Sequence, residues 1–132
     1  MAAENTLVEV WNSRRVILII EDDEVISNLL ADILSQETNY RLFITNNAVG
    51  AFNFLKSIKP DLILLDYSLP GINGIEICRR LRTMRDLIDI PVIIISAYYE
   101  DIRQEIKKHR LIALRKPFNL DNLLHTIGET LA

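Results

Sequence analysis

Short runs of apolar residues alternate along the chain with longer segments in which apolar residues recur every three or four positions. Three of the short runs are almost wholly apolar, which is typical of strands covered on both faces and therefore of a parallel sheet. The five predicted strands are Val16–Ile20, Arg41–Thr45, Leu62–Leu65, Val92–Ile95 and, with the weakest pattern, Leu111–Leu114.

The segments between the strands carry apolar stripes at helical spacing, so each is predicted to be a helix that covers one face of the sheet. All stripe residues are interpreted as core: Ile26, Leu29, Leu30, Ile33 and Leu34; Ala48, Ala51, Phe52 and Leu55; Ile77, Cys78, Leu81 and Met84; Tyr99, Ile102 and Ile106; Leu120, Leu123, Leu124, Ile127 and Leu131. Strand and helix alternate five times. This order predicts an α/β doubly wound (βα)5 domain, with a five-stranded sheet between helices on both faces.

The composition is that of an ordinary globular protein. Of 132 residues, 49% are hydrophobic and 25% are charged, and the net charge of -3 gives no support to a general nucleic-acid-binding surface. No apolar run reaches the roughly 18 residues of a membrane span, and the N-terminus lacks the pattern of a secretory signal. We therefore expect a cytoplasmic protein that neither inserts into membranes nor contacts nucleic acid directly.

Residues 1–14 precede the first predicted strand and are interpreted as an N-terminal extension of a domain that spans residues 15–132. Within the extension, Leu7, Val10 and Trp11 either form a small apolar face or belong to a mobile tail. No second domain is predicted.

One cysteine and two histidines lie away from the strand ends, and the sequence assigns none of them a chemical role. Cys78 is the only cysteine, and its place in an apolar stripe favours a core thiol. His109 and His125 are isolated in helical segments, and both are interpreted as solvated.

Polar residues of a restricted set of types follow the predicted strands. The first strand runs into four carboxylates, Glu21 to Glu24; the third ends in Asp66, the fourth in Ser96, and the fifth just before Lys116. In an open parallel sheet, ligands bind outside the carboxyl ends of the strands. Each residue alone also fits a solvated turn, a helix cap or a surface position. Their joint placement favours a site.

This set of residue types has a shared chemistry. Several carboxylates in one place suit a hard dication such as Mg²⁺, which prefers oxygen ligands. A lysine, a hydroxyl and Mg²⁺ together suit the oxygens of a phosphoryl group in transfer. A carboxylate can itself be the nucleophile and form an acyl phosphate. The pattern therefore predicts a site that carries a phosphoryl group on Asp66.

Four segments, in this order and at this spacing, are similar to the motifs of bacterial response-regulator receiver domains: "VILIIEDDE", "DLILLDYSLPGINGIE", "PVIIISA" and "RKPF". The resemblance covers about residues 15–131. It implies a flavodoxin-like sheet of order 2-1-3-4-5. It also implies phosphorylation by a histidine kinase or a histidine phosphotransfer protein.

The resemblance assigns roles around the phosphoacceptor, Asp66. Glu21 and Asp22 match the acidic pair of the family, with Asp22 as a direct ligand of Mg²⁺ (or Mn²⁺) and Glu21 acting through water. The backbone carbonyl of Ser68 matches the third protein ligand of the metal. The other two carboxylates of the run, Asp23 and Glu24, are expected to begin the first helix, where negative charge meets the helix dipole favourably.

The resemblance also assigns the residues at the ends of the last two strands. Ser96 matches the switch hydroxyl, and Lys116 matches the lysine that contacts the phosphoryl oxygens. Pro117 matches a proline that follows a cis peptide bond in the family. Ala113 stands where the family usually has an aromatic residue that turns inward on activation. Tyr98 and Tyr99 lie just after Ser96, and our hypothesis is that one of them substitutes for that ring.

The function implied is a stand-alone signalling receiver of a two-component system or phosphorelay. A downstream protein is expected to bind at the fourth helix, fifth strand and fifth helix, and the chain is expected to be a monomer or a weak dimer. Two alternatives are a constitutive interaction module without switching, and an aspartate-nucleophile phosphatase. The phosphatase is disfavoured because Ser68 stands where those enzymes typically have a second Asp. We therefore expect a signalling domain and not an enzyme.

Overall fold

The five strands form one parallel sheet, as predicted. The computed structural model describes residues 10–132. The strands and helices are β1 (Val16–Ile20), α1 (Glu24–Glu37), β2 (Arg41–Thr45), α2 (Ala48–Leu55), β3 (Leu62–Asp66), α3 (Gly74–Leu81), β4 (Val92–Ser96), α4 (Tyr99–Lys108), β5 (Ile112–Arg115) and α5 (Leu120–Leu131). The order of strands is β2-β1-β3-β4-β5, and all neighbouring pairs are parallel. The predicted fold class is confirmed.

Two apolar layers hold the sheet between the helices. Successive side chains of a strand point to opposite faces, so Leu18 and Ile20 of β1 join the core formed with α2, α3 and α4. Ile17 and Ile19 join the core formed with α1 and α5. Strands β1, β3 and β4 are buried along their whole length, which explains why their sequences lack a polar alternation.

Four of the helices begin at a side chain that accepts a hydrogen bond from the first turn. Asp23 accepts from the N–H groups of Val25 and Ile26 before α1. Asparagine does the same before α2, α3 and α5. The prediction that Asp23 and Glu24 begin the first helix is therefore confirmed.

Several sequence interpretations are wrong in detail. Leu29, Met84 and Leu120 were expected in the core but are exposed by 56%, 38% and 39%. Leu29 lies on the outer side of α1, and Met84 lies beyond the end of α3, which stops at Leu81. Each helix packs only the middle of its apolar face against the sheet, so apolar residues at the margins of that face remain exposed.

His109 is also misassigned by the sequence, because it is buried and not solvated. Its side chain is only 9% exposed and lies 3.2 Å from a carboxylate oxygen of Glu105. It stands directly after α4, where its backbone N–H bonds the carbonyl of Glu105. Its neighbours in sequence are exposed lysines and an arginine, so the local pattern gave no sign of this burial. His125 is exposed, as expected.

The end of the extension is helical in the described part of the chain. Residues 10–13 are in a helical turn before β1, and Val10 and Trp11 are about half exposed. Leu7, the third member of the suggested apolar face, lies outside the described residues. The division of the chain at residue 14 stays a prediction. Between residues 10 and 132, no helix combines the length and apolarity required to cross a membrane.

Arg82, directly after the end of α3, forms hydrogen bonds with two other segments of the chain. Its guanidinium donates to the carbonyls of His109 (2.9 Å), Ile88 (3.0 Å) and Ile90 (2.8 Å). Partial burial lowers the pKa of Arg82 below its usual value, but the three acceptors favour the charged form. The side chain therefore links the end of α4 to the loop that leads into β4.

We expect Arg82→Ala to lower the free energy of unfolding by about 2–4 kcal/mol, because it removes hydrogen bonds from a charged donor and leaves carbonyls unpaired. Urea unfolding provides the measurement. Arg80→Ala is the matched control: Arg80 is half exposed and makes only a surface ion pair with Glu76, so its loss should cost less than about 1 kcal/mol. Equal effects of the two substitutions would contradict this role of Arg82.

Candidate functional site

The carboxyl ends of β1 and β3 bring three predicted site residues together. Glu21, Asp22 and Asp66 each offer a carboxylate oxygen, and these oxygens lie within 4.8 Å of one another. Strands β1 and β3 are hydrogen-bonded neighbours, so the residues that follow them share one edge of the sheet. Three hard oxygen donors at this spacing fit a divalent cation such as Mg²⁺.

Burial raises the free energy of ionising these carboxylates when no cation is bound. Glu21 and Asp66 are exposed by only 5% and 6%. Burial, together with the charge of Asp66, raises the pKa of Glu21 to about 7, while the N–H of Asp23 and the charge of Lys116 act in the opposite direction. A bound dication would stabilise the ionised form of Glu21. The donor set and its electrostatics therefore both fit a metal site.

Lys116, which follows the carboxyl end of β5, reaches the cluster from two strands away. Its Nζ donates to Oδ1 of Asp66 at 3.1 Å. The Lys116–Pro117 peptide bond is cis, as the resemblance implies, and the backbone N–H of Lys116 bonds the carbonyl of Ser96 at 2.9 Å. One ammonium thus touches the oxygen of the predicted nucleophile.

Ser96 lies at the end of β4, next to the strand that ends in Asp66. It is buried, and its Oγ accepts a hydrogen bond from the backbone N–H of Tyr98 at 2.8 Å. In this conformation the hydroxyl therefore acts as a cap of the turn before α4. The O–H of Ser96 stays available as a donor, because a hydroxyl can accept one hydrogen bond and donate another at the same time.

The loop after β3 packs tightly behind Asp66. Ser68 lies in this loop and its side chain is exposed; the role of its carbonyl as a metal ligand stays a prediction. Gly74 donates its N–H to the carbonyl of Tyr67 at 2.8 Å. A Cβ on Gly74 would lie 3.0 Å from the carbonyl oxygen of Asp66 and from Cα of Tyr67. Glycine at this position therefore lets α3 begin directly against the backbone of the predicted phosphoacceptor.

Tyr98 and Tyr99, the suggested substitutes for the aromatic ring that position 113 lacks, have different surroundings in the structure. Tyr99 packs against the same apolar cluster as Ala113, and the guanidinium of Arg115 lies 3.6 Å from the centre of the Tyr99 ring. Tyr98 is 52% exposed, and its ring lies 5.9 Å from that of Tyr67. Sequence reasoning missed Arg115, because a lone arginine beside Lys116 gives no signal of a stacking role.

Comparison with known proteins agrees with this geometry. A family model described as the response regulator receiver domain matches residues 17–128. This chain belongs to that family. Sporulation initiation phosphotransferase F of Bacillus subtilis (strain 168) is 36% identical over 117 residues, which are 87% of this chain and 92% of that protein. The receiver also matches several longer transcriptional regulators, and it spans less than half the length of each.

Solved structures show the same fold. The receiver domain of a signal transduction histidine kinase from Syntrophus aciditrophicus is 28% identical, with a TM-score of 0.79 and 89% of each chain covered. The Mn(2+)-bound form of response regulator Rcp1 is 30% identical, with a TM-score of 0.74, and the match covers 87% of this chain and 90% of that one. The receiver domain of sensor histidine kinase PA1611 from Pseudomonas aeruginosa PAO1 carries a magnesium ion in its active-site cleft, and the Rcp1 structure carries Mn(2+). Receiver domains of this family serve phosphorylation-dependent two-component signalling.

The raised pKa of Glu21 makes the stability of this receiver depend on pH when metal is removed. The native carboxyl keeps its proton up to about pH 7, whereas the unfolded chain releases it near the ordinary glutamate pKa of 4.5. Between these values the native state binds more protons, so its stability falls as pH rises. In EDTA, we expect the free energy of unfolding to drop by about 3 kcal/mol from pH 4.5 to 7.5, at 1.36 kcal/mol per pKa unit.

Urea unfolding at several pH values measures this slope. Glu21→Gln should flatten it, because an amide does not titrate, and saturating Mg²⁺ should reduce it by favouring the carboxylate. Glu37→Gln, at the exposed end of α1, is the matched control and should retain it. A slope that survives Glu21→Gln would assign the pH dependence to another group.

Proposed function

We propose that Asp66 accepts a phosphoryl group and that the modified receiver then changes its binding to a downstream protein. The observation that carries this proposal is the contact between Lys116 Nζ and Asp66 Oδ1 at 3.1 Å, beside two further carboxylates within 4.8 Å. Glu21, Asp22 and Asp66, with the carbonyl of Ser68, would hold Mg²⁺ or Mn²⁺. The cation would offset negative charge on the phosphoryl oxygens.

Asp66, Lys116 and Ser96 have different roles in the phosphoryl transfer. A carboxylate oxygen of Asp66 attacks phosphorus, the bond from phosphorus to the donor atom breaks, and the donor leaves with the bonding electron pair. Lys116 already donates to Asp66, so its ammonium is placed to move onto a phosphoryl oxygen as the charge develops. Ser96 then donates its O–H to a phosphoryl oxygen, while its Oγ still accepts from the backbone N–H of Tyr98. The bond with Tyr98 connects the phosphoryl group to the start of α4.

The same reasoning defines the partners. The phosphoryl donor is a histidine kinase or a histidine phosphotransfer protein, and the downstream protein binds at α4, β5 and α5. A relative named a phosphotransferase matches nearly the whole chain, which supports a place in a phosphorelay. We further propose a cytoplasmic receiver that is a monomer or a weak dimer, acts as a signalling domain and not on external substrates, and spans residues 15–132.

Acetyl phosphate and Mg²⁺ test the proposal directly. We expect the intact mass of the protein to increase by one phosphoryl group, and this increase to disappear when EDTA replaces Mg²⁺. A chain that gains no mass from acetyl phosphate, and none from any histidine phosphodonor, would be a constitutive interaction module instead.

Tyr99 is proposed to take the place of the aromatic residue missing at position 113. It packs with Ala113 on one cluster and lies under Arg115, which is paired in register with Ser96. We expect Tyr99→Ala to leave the phosphoryl gain intact but to reduce, by about half, the phosphorylation-induced amide shifts in α4 and β5 measured by NMR.

Tyr99→Phe is the matched control, because it keeps the ring and should keep the response. Tyr98→Ala tests the other candidate, since Tyr98 is more exposed and contacts Tyr67 instead. Normal shifts in both alanine variants would show that neither tyrosine carries the signal.

A further inference from the structure

Two arginines share one aromatic ring at the end of the sheet opposite Asp66. The guanidinium carbons of Arg14 and Arg41 each lie 5.4 Å from the centre of the Trp11 ring. Arg14 follows the helical turn of the extension, and Arg41 begins β2, the edge strand of the sheet. The extension and the domain therefore each contribute one positive charge to the same place.

Neither of these charges has a counter-charge in the described part of the chain. Among residues 10–132, Arg14 and Arg41 make no ion pair, and the Nε of each is buried without a hydrogen-bond acceptor. Arg15, the next residue after Arg14, differs because its guanidinium lies 3.9 Å from a carboxylate oxygen of Asp61. The ring of Trp11 attracts each guanidinium, but it supplies no negative charge and no hydrogen-bond acceptor in the plane of the guanidinium. In a protein of net charge -3, this arrangement points to an anion.

The arginines line a pocket with further polar groups. Its volume is about 340 Å³, and Trp11, Ser35 and Asn39 also contribute to its walls. The hydroxyl and the amide are donors suited to anionic oxygens. The pocket lies at the start of β2, whereas Asp66 lies at the end of β3. A five-residue strand spans about 16 Å at roughly 3.3 Å per residue, so the pocket is separate from the acidic site.

We propose that this pocket binds a small phosphate compound with at least two negative charges. A guanidinium presents a planar fork of N–H groups that matches a phosphate bidentately, and two such groups match two phosphate charges. The ligand would join the extension to α1 and β2, since Trp11, Ser35 and Arg41 come from these three segments.

Trp11 is the only tryptophan in the chain, so its fluorescence reports on this pocket alone. The probe is inorganic triphosphate, added to the full chain in EDTA so that no divalent cation bridges it to the carboxylates around Asp66. We expect a saturable change in Trp11 emission. Arg41→Ala and Arg14→Ala should each weaken binding at least tenfold. Arg41→Lys should weaken it less, because it keeps the charge but loses the fork.

Arg15→Ala is the matched control and should bind triphosphate as the unmodified chain does. Circular dichroism of each variant, together with the milder Arg41→Lys, separates lost binding from lost folding. An unsaturable response, or equal loss in Arg15→Ala, would overturn the proposal. So would a response that appears only after Glu4→Gln and Glu9→Gln, because the chain's own carboxylates would then be the natural occupants of the pocket.

Discussion

The Asp66→Asn variant is expected to gain no phosphoryl group under conditions that phosphorylate the unmodified chain. An amide oxygen is a poor nucleophile and cannot form the acyl phosphate, so the loss should be complete within the detection limit of intact-mass measurement. The fold should persist, because the substitution removes a negative charge from a cluster in which the charge of Asp66 raises the pKa of Glu21. Urea unfolding checks this second expectation.

Asp101→Asn is the matched control for this variant. Asp101 is an exposed carboxylate in the first turn of α4, away from the acidic cluster, and its replacement should leave the phosphoryl gain unchanged. Phosphorylation of Asp66→Asn to the same extent as the unmodified chain would mean that another residue is the acceptor. The contact between Lys116 and Asp66 would then be structural.

The sheet and the site residues were predictable because both follow from where strands end. Val16–Ile20 and Arg41–Thr45 were predicted with the observed bounds, and the third and fourth strands extend by one residue, into Asp66 and Ser96. The fifth was displaced by one residue, because Leu111 is apolar but lies before β5. Parallel strands bring their carboxyl ends to one edge, so residues far apart in sequence were expected to meet there.

Features that depend on long side chains crossing between segments were not predictable. Arg82 belongs to a basic run that resembled the solvated side of a helix, yet it binds carbonyls up to 27 residues away. Trp11 and Arg41 meet because the extension folds back on β2. Such contacts depend on the lengths and directions of individual side chains, which leave no periodic pattern in the sequence.

The neighbours Asp22 and Asp23 should differ in how strongly the same substitution, Asp→Asn, affects Mg²⁺ binding. Asp22 belongs to the carboxylate cluster with Glu21 and Asp66, whereas Asp23 accepts hydrogen bonds from the first turn of α1 at 2.9 and 3.3 Å. We expect Asp22→Asn to weaken Mg²⁺ binding by at least about tenfold, which corresponds to roughly 1.4 kcal/mol. This loss of binding free energy is smaller than the Coulomb attraction of about 4 kcal/mol between opposite unit charges 4 Å apart near a protein surface.

Asp23→Asn should change Mg²⁺ affinity by less than about twofold, because asparagine caps a helix as well as aspartate does and the lost charge faces the helix. Magnesium titration followed by the amide shifts of residues 64–68 measures both variants, and each keeps the size of the original side chain. A loss in Asp23→Asn as large as that in Asp22→Asn would place the metal-binding pair one residue further along the chain. The first turn of α1 would then supply a metal ligand in place of the residue that follows β1.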